Sequence, residues 1–113
     1  MTRCVKVVVT YFGKRRRFEF YEDASIDLMK YTMHNEKKVD PGKDISVDLI
    51  IVNNSFYNKK FKKGNEFLQK FNGEKTKTGK VIIHPGDNIG MSFGGYNNAY
   101  QKFKDEYDYW LFT

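Results

Sequence analysis

The sequence predicts an α/β domain with a parallel sheet of about four strands and helices on both faces. Three observations carry that prediction. Short β-branched apolar runs recur along the chain, and segments with helical spacing separate them. The second run, Val47-Asp48-Leu49-Ile50-Ile51-Val52, is apolar almost throughout, as suits an interior strand covered on both faces. Strands that alternate with helices build a parallel sheet through right-handed crossovers.

The elements follow in order. Cys4-Val5-Lys6-Val7-Val8-Val9-Thr10-Tyr11 reads as a buried strand that ends at Gly13, with Cys4 a buried packing residue. Residues 18–39 carry apolar side chains at Tyr21, Ala24, Leu28 and Tyr31, a helical core face that Met29 and Met33 can widen. Asp40-Pro41-Gly42 breaks that helix. Strand two ends in Asn53-Asn54-Ser55. A short helix is expected over residues 65–71, with Phe67, Leu68 and Phe71 on one side, then a turn at Asn72-Gly73. Lys80-Val81-Ile82-Ile83-His84 reads as strand three. Ser92 is the expected N-cap of a helix whose core face is Phe93, Tyr96, Tyr100 and Phe103. Residues 107–112 read as strand four.

The chain has 113 residues, room for a single domain, and no internal repeat or linker. Aromatic residues make up 17%, which argues against disorder. The net charge of +6 attracts anions: nucleic acid, acidic lipid or a phosphorylated small molecule. Its lysines are spread over several segments, the pattern of a plain solvated surface. Two clusters stand out, Lys14-Arg15-Arg16-Arg17 and Lys59-Lys60-Phe61-Lys62-Lys63. One cysteine excludes an intramolecular disulfide and fits a reducing compartment. No stretch is long and apolar enough for a leader or a membrane span, so a soluble cytoplasmic protein is expected.

Ligand sites in such a sheet lie at the carboxyl ends of the strands. Three loops fall there. Thr10 and Tyr11 precede a cationic run, and an aromatic ring beside a turn can stack on a base. The amides of Asn53 and Asn54 can hydrogen-bond a base or a ribose, and serve equally well in turns. The segment from Asp87 to Asn98 carries Gly90, Gly94 and Gly95. Glycines in a first helical turn cost about 1 kcal/mol each, which points to a close approach by a ligand or by the sheet. Neither G-x-G-x-x-G nor G-x-x-x-x-G-K-[ST] is present. His34 and His84 make no metal pattern with one cysteine, although His84, at a strand end, can line a site.

Taken in order, Val9-Thr10-Tyr11-Phe12, Ile51-Val52-Asn53-Asn54-Ser55, Asn88-x-Gly90-x-Ser92-Phe93-Gly94-Gly95-Tyr96-Asn97-Asn98 and Tyr107-Asp108-Tyr109-Trp110-Leu111-Phe112 resemble the opening of family 2 glycosyltransferases with the GT-A fold. That opening is a Rossmann-like nucleotide-binding half. The resemblance covers nearly all of the chain and the first third to half of such an enzyme. It implies that Thr10 and Tyr11 hold the nucleotide base. It puts Asn53 where the family has an aspartate that bonds a uracil-type base. Asn88 and Gly90 would line the base and ribose, and Gly94, Gly95 and Asn98 would start the helix beside the nucleotide. The implied partner is a nucleotide-sugar donor, with the acceptor unspecified. The family's acidic motif, which binds Mg or Mn across the diphosphate, would begin directly after Thr113. The resemblance therefore implies a truncated enzyme whose metal ligands and catalytic base lie outside these residues, and which has no transferase activity alone. A sheet so exposed is expected to associate into a homo-oligomer through an open edge or face. Two alternatives remain open: a non-enzymatic α/β module that binds a nucleotide or a protein, and a nucleic-acid-binding domain. The last lacks a recognition helix, so nucleic acid is not an expected partner.

Overall fold

The computed structural model describes residues 1–12 and 21–113, with the backbone alone for 21–25. The expected strand end at Gly13, the basic run at 14–17, the helix start at Phe18 and the side chains of Tyr21 and Ala24 lie outside the described residues.

The elements are β1 (Thr2–Thr10), α1 (Tyr21–Glu36), β2 (Ile45–Asn53), a 3-10 turn (Lys59–Phe61), α2 (Lys62–Gln69), β3 (Val81–Pro85), α3 (Met91–Phe103) and β4 (Tyr109–Phe112). All strands run parallel in the order β3-β2-β1-β4. Side chains alternate between the two faces. Leu49, Ile51, Val81 and Ile83 pack on one face with α1 and α2, while Val5, Val7, Ile50 and Val52 pack on the other with Ala99 of α3. Each fully buried aliphatic side chain contributes about 1.5–3 kcal/mol, so these two layers dominate the stability. The expected α/β class, parallel sheet and two-sided helical cover are all present.

Side-chain placement departs from expectation in four places. First, α1 buries Ile26, Met29 and Met33, and leaves Leu28 and Tyr31 exposed. Both stripes have helical spacing. The Ile/Met stripe turns inward to meet Phe12 and Leu68, where flexible thioethers fill an irregular gap.

Second, α3 presents Gly95 and Ala99 to the sheet; Tyr96 and Phe103 are half-buried at its flanks, Tyr100 is exposed and Phe93 is 84% exposed. A Cβ on Gly95 would sit 2.6 Å from Val9 Cγ2, and one on Gly94 would strike the Ile89 carbonyl. Both glycines thus permit close protein packing, and the large rings are displaced outward. Third, Ser92 does not cap α3. The N-cap is Gly90, at φ 77°, a left-handed conformation that glycine adopts without strain.

Fourth, Tyr107 precedes β4 instead of starting it, because it turns inward. Its hydroxyl donates to Asp48 Oδ2 at 2.6 Å, and the Lys80 N–H donates to Asp48 Oδ1 at 2.9 Å. The Arg3 guanidinium lies over the Tyr107 ring, 5.2 Å from its centroid, and 4.0 Å from Asp48. Burial, with help from the Asp48 hydrogen bond, holds the Tyr107 hydroxyl well above its ordinary pKa of 10. This group of side chains ties β1, β2, the start of β3 and the approach to β4 together at the amino end of the sheet.

Helix α2 begins earlier than expected, at Lys62, behind a 3-10 turn capped by Asn58, whose side chain accepts from the Lys60 N–H. Its expected inner side is correct: Leu68 is fully buried, with Phe67 and Phe71 packed beside it. Among the described residues no helix is long and apolar enough to cross a membrane.

Candidate functional site

The parallel topology brings the loops after β1, β2 and β3 to one end of the sheet. Asn53, Asn54 and Ser55 are all buried there, although they close a loop-bound strand end. Buried polar groups need partners, and here the partners come from several loops. The Asn54 N–H donates to the Thr10 carbonyl at 2.9 Å, and the Phe12 N–H to Ser55 Oγ at 2.6 Å, which fastens the β1 loop to the β2 loop. The Gly86 N–H donates to the Asn53 carbonyl at 2.9 Å, which fastens the β3 loop to the same point.

Asn53 is 1% exposed. Its Oδ1 accepts from the Ser55 N–H at 3.0 Å and its Nδ2 donates to Asn65 Oδ1 at 2.8 Å. Asn65 in turn donates to the Ser55 carbonyl at 3.1 Å. Half of the amide's hydrogen-bonding capacity is thus spent on the scaffold. Asn53 positions the loop and offers little surface to a ligand.

Asn54 reaches the other way. Its Nδ2 donates to the Met91 carbonyl at 3.1 Å and to Asn88 Oδ1 at 3.4 Å. Its Oδ1, against Gly86, is buried without a hydrogen-bond partner among the described residues. Asn54 therefore anchors the β3–α3 loop, in which Asn88 (φ 64°), Gly90 (φ 77°) and Met91 (φ 53°) all adopt left-handed backbone. Asparagine tolerates that region, while methionine rarely enters it, so Met91 stores local strain. Strain of this kind concentrates where a loop must hold a particular shape.

The sequence-derived residues fall into two groups. Thr10, Tyr11, Asn53, Asn88 and Gly90 come together at this end, with Tyr11, Ile89, Met91 and Phe93 exposed around it. No side chain caps α3, whose first turn opens onto the same end. Gly94 and Gly95 lie in that turn but have packing reasons of their own, and Asn98 lies a further turn along the helix. Sequence reading offered the Asn53 and Asn54 amides to a ligand and gave no role to Asn65, which ties Asn53 to the Ser55 carbonyl. The run of three small polar residues after an apolar strand was the signal for those amides.

His84 lies beside this end, opposite Val52 in the sheet, but turns its ring toward α3. Its ring packs edge-on against Phe103, 5.5 Å between centroids, and burial, then the nearby Lys102 charge, lowers its pKa below the ordinary 6.5. His34 is exposed on α1. Among the described residues no three His, Cys, Asp or Glu side chains gather as a metal site. At the opposite end of the sheet an apolar cavity of about 250 Å³ runs between Cys4, Val39, Leu49 and Leu111. Cys4 is therefore half-buried at a cavity wall, and not enclosed in the core as expected. The Lys6–Glu36 ion pair forms part of the same wall. No protein-family model, curated protein or solved structure matches the chain.

Proposed function

We propose that this chain is the nucleotide-binding half of a GT-A-type glycosyltransferase, and that it holds the nucleoside diphosphate of a sugar donor at the carboxyl ends of β1, β2 and β3. One observation carries the reading. An all-parallel β3-β2-β1-β4 sheet gathers Thr10, Tyr11, Asn88 and Gly90 around a buried polar knot at the end where such sheets take ligands. In this reading the exposed Tyr11 ring stacks on the base. Asn88 hydrogen-bonds the base or ribose. The uncapped amino end of α3 faces the phosphates with its free N–H groups. Asn53 acts indirectly, by fixing Ser55 and so the Tyr11–Phe12 backbone.

The resemblance also implies a divalent cation across the diphosphate. The carboxyl end of β4 offers Phe112 and Thr113, neither of which fits as a cation ligand, so no step is drawn through a metal.

The test is a titration of the labelled protein with uridine, guanosine and thymidine diphosphates. Amide resonances of Tyr11, Asn88 and Gly90 are expected to move with one of them and saturate near about 1 mM. Static spectra with all three at that concentration would reject the site.

A further inference from the structure

The two edges of the sheet are finished differently. Along β3 the Leu49 N–H donates inward to the Lys80 carbonyl, so by alternation Val81, Ile83 and Pro85 turn their backbone groups outward. All of those outward donors are dealt with. The Val81 N–H donates to the Glu74 carbonyl at 2.7 Å, and the Ile83 N–H to Asn72 Oδ1 at 2.9 Å. Pro85 has no N–H.

Along β4 the Thr113 N–H donates inward to the Val7 carbonyl at 3.0 Å, so by alternation Leu111 and Tyr109 also turn their backbone groups inward to β1, and the outward groups are those of Trp110 and Phe112. Among the described residues nothing covers their backbone groups. The side chains are apolar as well: Tyr109 is 67% exposed, Leu111 59% and Phe112 41%. Residues 109–113 carry no charge and no proline, the usual devices that keep an open edge from pairing.

We infer that this edge is an interface with a second copy of the chain, formed by antiparallel pairing of β4 with β4 about a two-fold axis at Leu111. In that register Trp110 of one copy lies opposite Phe112 of the other, and the outward groups form about four backbone hydrogen bonds. The partner is argued from self-complementarity and area. Tyr109, Leu111 and Phe112, with exposed Tyr100 and Val39 beside them, offer on the order of 500 Å² per copy. The total of about 1,000 Å² reaches the lower limit for a specific interface. The pairing would join two four-stranded sheets into one continuous sheet. The inference does not depend on nucleotide binding.

Charge sharpens the test. Each copy carries +6, so the copies repel at long range, and an apolar contact between them strengthens as salt screens that repulsion. Sedimentation equilibrium at about 100 μM is expected to give a dimer whose dissociation constant falls as salt rises. Leu111→Lys and Tyr109→Lys, both at exposed positions, should each return a monomer with unchanged circular dichroism, at least a tenfold weaker association. Leu28→Lys, on exposed α1, should leave the dimer intact. A wild-type monomer at that concentration would overturn the inference. So would a dimer that survives both β4 substitutions, or one lost equally in Leu28→Lys, the mark of general stickiness. Should one β4 variant unfold, the other decides.

Discussion

The edges of β3 and β4 belong to the same sheet, yet one is closed and the other open. The difference comes from what precedes each strand. Before β3 the chain turns tightly after α2, and the turn lies alongside the strand. The Gly73 N–H donates to the Val81 carbonyl and the Glu74 carbonyl receives the Val81 N–H. Before β4 the chain descends from α3 through Asp105, Glu106 and Asp108, and its anchors are inward ones, Tyr107 on Asp48 and Asp108 on the Arg3 backbone. A connection that doubles back covers an edge; a connection that crosses over the sheet leaves the edge bare.

The comparison can be broken from either side. The largest effect is expected from Asp48→Ala, which removes the acceptor for both the Tyr107 hydroxyl and the Lys80 N–H and so loosens both edges at once. Urea unfolding should show a loss of about 3 kcal/mol, since buried donors are left without partners. A loss below about 1 kcal/mol would mean that Asp48 is not the common tie. Next comes Leu111→Lys, which acts on association alone, with folding stability within about 0.5 kcal/mol of wild type as befits an exposed site. Asn72→Ala should follow, at about 1 kcal/mol, by freeing the Ile83 N–H; it makes the β3 edge resemble that of β4. Increased self-association of this variant would sharpen the comparison, and an unchanged stability would sink it.

The smallest effect is a pH dependence confined to the closed edge. His84 of β3 has a folded pKa below its ordinary 6.5, so the unfolded chain takes up its proton first as pH falls. Stability contributed by the neutral ring is complete above 6.5 and declines below it, until the folded state also protonates. The melting temperature should therefore drop between pH 7 and pH 5 by more in wild type than in His84→Gln. Equal drops would show that other groups govern that range.

Much of the fold was legible because strands β1, β2 and β3 announce themselves in β-branched runs that nothing else explains. Element order then dictated a parallel sheet. Helix faces were less legible. In α1 two apolar stripes compete, and the choice between them rests on Phe12 and Leu68, far away in sequence. In α3 the aromatic periodicity was right for Tyr96 and Phe103, which pack at the core's flank, and wrong for Phe93 and Tyr100. Interior position went to Gly95 and Ala99 because close approach to Val9 outweighs the area a ring can bury. The site was half legible. Its loops were found from strand ends and glycines, but the roles of Asn53 and Asn54 depend on Asn65, Asn88 and Met91 across loops that sequence alone does not bring together.

The central position of β1 has a consequence for how the chain assembles. Its partners are β2 on one side and β4 on the other, so β1, made before either, is completed only when β4 arrives. The β1–β2–β3 layer can form while later residues are still emerging, since its pairings skip no strand. Docking of β4 then closes only the connection from Pro85 through α3 to Tyr109, because β1 is already held against β2. Throughout that interval Val5 and Val7 present a nascent apolar edge to whatever else is in solution. In the ribosome-bound chain the period of greatest vulnerability to mispairing falls between the emergence of β1 and the arrival of Tyr109.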